Sequence, residues 1–338
     1  MGFALGGKKT DNSVVLTSGY QGKSNDKGKP ATGKPGPSVA HMGLLHSFLL
    51  GESLWQSLWL NLLTVQQIVD SNMFPAGCGK APWDEMPAGE NCAVAQRLKQ
   101  SLMGRLVPMS RFCLLSDSGL HYSQGLSHPG YKDGVTDPTT AIDYSGKEPK
   151  ALWVNPEKRP WRELTALLSM FSQQKTGGFQ SWQMNASLAR AVDVSPSFAV
   201  WSGGLRVSSN AGEQYVSGND DFVESQVWLQ SSIVDDIFFA QLQSEMAALD
   251  VIAKSLYGCV MAYFKEQLVD GSKFAAQATH IFWQMCERDF QTLVDRCDAD
   301  EASKKYRRRL RLRFADYVQQ TYDHFCSHDT ARQLDAWA

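Results

Sequence analysis

The chain has 338 residues, 43% apolar and 20% charged, with a formal net charge of −2. This is ordinary globular composition with room for about two domains, and it excludes a globally basic protein, so any nucleic-acid surface must be local. Seven cysteines without a CxxC pair argue for a reducing compartment rather than a disulfide framework. The start MGFALGGKKTDN lacks signal-peptide order and no apolar run reaches the ~20 residues of a membrane span; the expectation is a soluble, cytoplasmic chain with no membrane partner.

Residues 1–38 are basic, with Lys8, Lys9, Lys23, Lys27, Lys29 and Lys34 against Asp11 and Asp26. Val14 to Thr17 reads as a short strand and the stretch from Gly19 to Ser38 as a long Gly- and Pro-punctuated loop. Lysines supply charge and glycines close approach, which suits a phosphate backbone. The G-x4-G-K spacing occurs from Gly2 and again from Gly28, but Lys9 and Pro35 stand where a magnesium-holding Ser or Thr is needed, so a nucleotide cofactor is not expected.

Gly51 to Asp70 reads as the first helix. Ser53 and Gln56 have capping-box spacing, and Leu54, Leu58, Leu62 with Trp55, Trp59, Leu63 predict a wide apolar face for the core. Pro82 to Leu98 reads mostly as loop. Arg111 to Leu115 and Leu120 to Ser123 predict a hairpin, His128 to Ser145 a polar loop, Lys150 to Val154 a strand, and Trp161 to Phe171 a helix opened by Pro160. A short helix is expected at Asn185 to Val192. Trp201 to Gly212, WSGGLRVSSNAG, reads as an exposed loop, either a surface connector or a ligand-touching segment. Phe222 to Leu229 alternates as a strand. Asp235–Lys265, Lys273–Val294 and Ala299–Phe325 are long periodic helices, and Thr330 begins a fourth. The fold class expected is α+β: a loop-rich mixed region over 1–230, then an antiparallel four-helix bundle over 231–338.

Catalytic chemistry is poorly supported. His324 and His328 are spaced i, i+4, but no further ligand completes a metal site. Asp220-Asp221 and Asp235-Asp236 suit helix or strand starts, and no nucleophile motif is present. Neither a metal nor an enzyme is expected. Lys304 to Arg313, KKYRRRLRLR, holds seven basic residues and no acid. It reads equally as a solvated helix face or as a surface for phosphate or an acidic partner.

Four stretches in this order, GPSVAHMGLLHSFLLGESLWQSLWLNLLT, LVPMSRFCLL, GKEPKALWVNPEKRPWREL and the GGLR loop ahead of the helices, resemble the CasA family. These are large subunits of the type I-E CRISPR complex Cascade. The resemblance implies a non-catalytic subunit that reads the protospacer-adjacent motif of target double-stranded DNA from the minor groove. It also implies duplex opening and partnership with the guide RNA complex and a helicase-nuclease. The family's wedge loop corresponds to Ser209, Asn210 and Ala211, its lysine finger to Lys132, and its glycine loop to Gly19 to Gly36, with Gly22 or Gly28 at the contact. Lys147, Lys150, Arg206, Arg308 and Arg309 are expected to meet phosphate. Relative to the family the chain reads as N-terminally shortened, which leaves its docking on the complex open. The alternative is a helical protein–protein scaffold without DNA reading.

Overall fold

The computed structural model describes residues 43–337, apart from 86, 88–90, 107–110, 117–118, 125, 127, 135–136, 170–177 and 207–220. The expected strand at Val14 to Thr17 lies outside them, as do Gly22, Gly28, Ser209, Asn210 and Ala211.

Chain order runs β1 (His46–Leu50), α1 (Leu54–Asn61), α2 (Val65–Asp70), α3 (Ala93–Gln100), α4 (Leu102–Leu106), β2 (Arg111–Ser116) and β3 (Gly119–Gln124). Next come β4 (Ile142–Asp143), β5 (Lys150–Ala151), α5 (Leu164–Leu167), β6 (Phe179–Gln180), α6 (Trp182–Val194), β7 (Ser197–Arg206) and β8 (Asp221–Gln230). The chain finishes with α7 (Asp236–Glu266), α8 (Ser272–Val294), α9 (Glu301–Phe325) and α10 (Ala331–Trp337). The class is α+β. The sheets are small: β1-β7-β8, the hairpin β2-β3, and β5-β4-β6 with β4 antiparallel to both neighbours. Two compact units divide the chain. The first draws on Met1–Trp161, Thr176–Arg190 and Val200–Gln226, the second on Arg162–Lys175, Ala191–Ala199 and Val227–Ala338.

In the first unit the expected helix from Gly51 to Asp70 is two helices. Leu62 is extended and Thr64 opens a new capping box with Gln67. The expected apolar core face is also turned outward: Trp55 is 72% exposed, Leu58 62% and Leu62 59%. Hydrogen bonds explain the inversion. The Asn61 amide donates to Leu49 O at 2.6 Å and its oxygen accepts from Leu49 N at 3.1 Å. Ser57 Oγ accepts from Gly51 N at 3.0 Å. These bonds hold the Ser57/Leu60/Asn61 side against the end of β1, and the Leu54/Trp55/Leu58 side is left outside. Arg190 reaches the carbonyls of Trp59, Leu60 and Leu62 at 2.7, 3.0 and 2.9 Å, a cation where the helix dipole favours one.

Three further expectations are corrected. Ala93–Gln100 is a helix that begins within the expected loop and runs past its end at Leu98, capped by Cys92, whose sulfur accepts from Ala95 N at 3.4 Å; cysteine is not a cap that sequence advertises. The segment at Pro160 is a 3-10 turn, Pro160–Glu163, ahead of the four-residue α5. Trp201 to Arg206 is not an exposed loop but the end of β7, with Ser202, Gly203 and Gly204 buried. The hairpin is as expected, closing with Ser116 opposite Gly119.

The second unit is mainly α7 to α10. Helix α8 packs on α7, α9 on both, and α10 on α7. Phe238, Leu242, Leu249, Leu256 and Val260 of α7 are buried, with Phe282, Phe290 and Leu293 of α8 and Leu310 and Phe314 of α9. Within this apolar interior lies a carboxylate, Glu245, 2% exposed. Arg307 lies 3.4 Å from it and Arg311 Nε donates to it at 2.9 Å. Arg307 also bonds Gln241 at 3.1 Å and the carbonyls of Arg296 and Asp298 in the turn before α9. One guanidinium thus ties α9, that turn and the first part of α7.

Two outcomes are expected. Breaking a buried ion pair from one side strands the other charge at a cost of about 3–5 kcal/mol. Glu245→Ala should lower the unfolding free energy in urea by that amount, and Glu245→Leu combined with Arg307→Met by clearly less. His128, 7% exposed with both ring nitrogens unpaired among the described residues, has its pKa pushed down to about 3, chiefly by burial and then by the charges of Lys99 and Arg105. The unfolded imidazole therefore binds a proton that the native one refuses, and stability from this group is lost as pH falls below about 6.5. Denaturation midpoints across pH 7 to 4 should fall more steeply for the parent chain than for His128→Phe.

Candidate nucleic-acid interface

Three of the chain segments that carry candidate residues start from one place in the first unit. Residues 43–45 run beside residues 152–154: Leu45 N donates to Leu152 O at 3.0 Å, and Val154 N donates to Gly43 O at 2.7 Å. Leu152 N in turn donates to Ala141 O at 3.1 Å, beside β4. The last residues of β7 press against the same strip. A Cβ on Gly204 would lie 2.6 Å from Val154 Cγ2 and 2.9 Å from Leu44 O. A Cβ on Gly43 would lie 2.8 Å from Leu205 O and 3.1 Å from Val154 Cβ. Gly43 also has φ +45, which disfavours a side chain. The exit from residues 1–42 and the entry to residues 207–220 are therefore adjacent, and only glycine admits the approach.

The third segment is the 3-10 turn Tyr131–Asp133. Tyr131 packs on the cluster of Leu44, Ile142 and Ala151. Its ring meets Trp153 edge-on at 6.1 Å between centroids, and its carbonyl accepts from the Tyr144 hydroxyl at 3.1 Å. Lys132 stands exposed on this support. The segment expected as a polar loop thus contains a turn, a strand and a buried cluster.

Lys147 and Lys150 are exposed at the β4–β5 turn, and Lys150 faces Asp143 across the pair. Hydrogen bonds from the Ser145 hydroxyl at 2.6 Å and amide at 2.8 Å hold the Asp143 carboxyl below its usual range, with the Lys150 charge adding to this. Arg206 is exposed at the end of β7. Nearby, Trp201 stacks on Phe48 at 4.6 Å and donates to Glu224 at 2.9 Å. In β1, burial lowers the His46 pKa, and its Nδ1 lies 2.7 Å from the Thr139 hydroxyl. The first unit thus brings Lys132, Lys150 and Arg206 onto one support with the strand ends. Gly22, Gly28 and Ser209 to Ala211 are outside the described residues.

Arg308 and Arg309 belong to the second unit, on α9. The basic run divides by helical phase. Arg307 is buried, Arg311 pairs with Glu245, and Arg313 with Asp289 at 2.6 Å. Asp289 also accepts from the Tyr317 hydroxyl at 2.5 Å. Lys304 pairs with Glu301 at 3.3 Å. Arg308 and Arg309 point outward with no ion pair among the described residues. No group of three or more potential metal ligands occurs among the described residues.

Sequence reasoning missed Gly43, Tyr131, Trp153 and Val154. Their role is contact between segments far apart in the chain. The local trace is the apolar run Ala151, Leu152, Trp153 and Val154, which reads as a strand and names no partner.

A family model described as CRISPR-associated protein Cse1 matches residues 1–321. The fold is similar to that of CasA from Thermus thermophilus, at 15% identity and TM-score 0.61, covering 97% of this chain and 67% of that one. It is similar to Thermobifida fusca Cse1, at 15% identity and TM-score 0.65, covering 95% and 63%. A chain of a structure described as a CRISPR RNA-guided surveillance complex is 13% identical with TM-score 0.58, covering 99% and 64%. The chain spans about two thirds of the length of these structures. No curated protein matches it. The family match runs from the first residue to Thr321, through both units, and so the chain belongs to the CRISPR-associated Cse1 family.

Proposed function

We propose that the chain is the non-catalytic large subunit of a cytoplasmic CRISPR RNA-guided surveillance complex of the Cascade type. It recognises the protospacer-adjacent motif of target double-stranded DNA, promotes opening of the duplex and recruits a helicase-nuclease. The observation that carries this reading is the common support under Gly43, Arg206 and Tyr131. There Gly43, Arg206 and the turn that carries Lys132 meet, which supports a reading in which the chain on either side of them is used together. Small groups in the minor groove sort A·T from G·C only coarsely, which suits a short and tolerant motif. Asn210 acts as the wedge. Unstacking a step costs a few kcal/mol, which pairing with the guide offsets. Lys132 contacts base edges, Gly22 or Gly28 lets backbone approach, and Lys147, Lys150 and Arg206 hold phosphates. Residues 1–230 form the DNA-recognition part. Residues 231–338 form a four-helix bundle whose outward Arg308 and Arg309 meet the phosphates of a bound strand.

The test is binding of the reconstituted complex, with guide RNA, to duplexes differing only in the flanking trinucleotide, at fixed salt. The parent chain should discriminate between flanks by about tenfold or more, or about 1.4 kcal/mol. Asn210→Ala and Lys132→Ala should abolish that ratio. Replacing Arg308 and Arg309 with alanine should keep the ratio and reduce the log–log salt slope by about 1 per lost contact. Binding by the parent that ignores the flank overturns the reading and favours a scaffold that bridges proteins without reading DNA.

A further inference from the structure

We propose that the outer face of α9, from Lys305 to Leu312, holds an unpaired strand of DNA; that this is the strand displaced on duplex opening rests on the function proposed above. The face belongs wholly to the second unit. Its cations are not the ones that fasten α9 to its neighbours.

Helical phase sorts α9 into sides. Ser303, Arg307, Leu310, Phe314 and Thr321 are buried and line one of them. The opposite side carries Lys305, Arg308, Arg309 and Leu312, all exposed. On the flanks, Arg311 is taken by Glu245 and Arg313 by Asp289. Lys305, Arg308 and Arg309 have no ion pair among the described residues, and no acid occurs in the sequence from Ala302 to Ala315. The fold does not account for this grouping. Lys305 stands three residues before Arg308 and four before Arg309, spacings at which like charges work against a helix. Concentrated charge of this kind is complementary to phosphates.

Two features select a single strand over a duplex. Leu312 is 65% exposed in the middle of the cations. Tyr306, 37% exposed, lies beside them, with the guanidinium carbon of Arg296 5.3 Å from its ring centroid. Arg296 is itself exposed, in the turn before α9. Apolar and planar groups gain little from the outward phosphates of a duplex, whose bases are stacked inside. An unpaired strand offers its base faces to an aromatic ring, a guanidinium plane or an alkyl group while its phosphates meet the cations. Along the same side the surface changes sign at exposed Asp316, one turn past Leu312. The cationic stretch therefore rises about 10 Å, the length of about three stacked nucleotides. A protein partner would need several acids around one apolar group within that length. Duplex opening supplies an unpaired strand without any further partner.

The experiment measures binding of the full chain to a labelled oligothymidylate and to a blunt duplex of the same length, at fixed salt. The parent should favour the single strand by about tenfold, the weight of one stacked base. Leu312→Ser should weaken oligothymidylate about fivefold, as expected for one lost apolar contact, and leave the duplex unchanged. Arg308→Ala with Arg309→Ala should flatten the log–log salt slope on oligothymidylate by about 1.4, two contacts at about 0.7 each. Equal or tighter binding of the duplex by the parent overturns the proposal, and so does an equal loss on both ligands in Leu312→Ser. Displacement of oligothymidylate by an acidic, apolar peptide that binds more tightly assigns the face to a protein partner and overturns it too. Photocross-linking needs no variant: in the reconstituted complex, iododeoxyuridine in the unpaired strand of an opened target should attach within residues 302–315. Cross-links confined to other residues overturn the assignment to the displaced strand. A parent complex that ignores the flank retires the proposed function instead, and the comparison of oligothymidylate with duplex still decides what this face binds.

Discussion

The first unit depends on a close approach of three backbones around one valine. Gly43, Gly204 and the strip ending at Val154 come nearer than side chains allow, and two of the three give up their Cβ to do so. Hydrogen bonds from Leu45 to Leu152 and from Val154 to Gly43 fasten the strip on one side. The cluster of Leu44, Ile142, Ala151 and Tyr131 closes it on the other. Exposed cations at Lys132, Lys150 and Arg206 are held at this junction by short, well-packed backbone. The packing beneath them fixes the backbone from which these exposed side chains project.

The second unit uses charge differently. The basic run of α9 looks uniform in sequence, yet its members face different surroundings. Arg307 is committed to Glu245 and to carbonyls of the preceding turn, Arg311 to Glu245, and Arg313 to Asp289. These pairs set the register of α9 on α7 and α8. A guanidinium suits such work because it stays charged and offers a fork of donors. Arg308 and Arg309 are left outside the network, so one short stretch supplies both internal fastening and an outward cationic surface.

In the first unit, α1, α2 and the link between them present Leu54, Trp55, Leu58, Leu62 and Val65 to solvent. That face has the composition of a buried one, with no charged residue between Glu52 and Asp70. Its outward direction is set by the polar bonds of Ser57 and Asn61 to β1 and the turn after it. Apolar surface alone does not decide which side of a helix is buried when hydrogen bonds hold the opposite side in place.

The long helices were legible in the sequence because their burial is periodic and local. Phe238, Leu242, Leu249 and Leu256 repeat at helical spacing, and α7 to α9 begin and end within two residues of the pattern. The hairpin β2-β3 was legible from the Ser-Asp-Ser-Gly sequence between its two runs. The strand β7 was not. Its Gly203-Gly204 pair reads as loop, and contact with Trp201, Val223, Val154 and Leu44 makes glycine the residue a buried strand needs there. Nor was the outward turn of α1, which rests on Asn61 finding Leu49. The support beneath Lys132 escaped as well, because Tyr131, Trp153 and Leu44 carry no pattern that points to one another. Local periodicity wrote the helices into the sequence. The candidate interface is made of contacts between distant segments, and those exist only once the chain has folded.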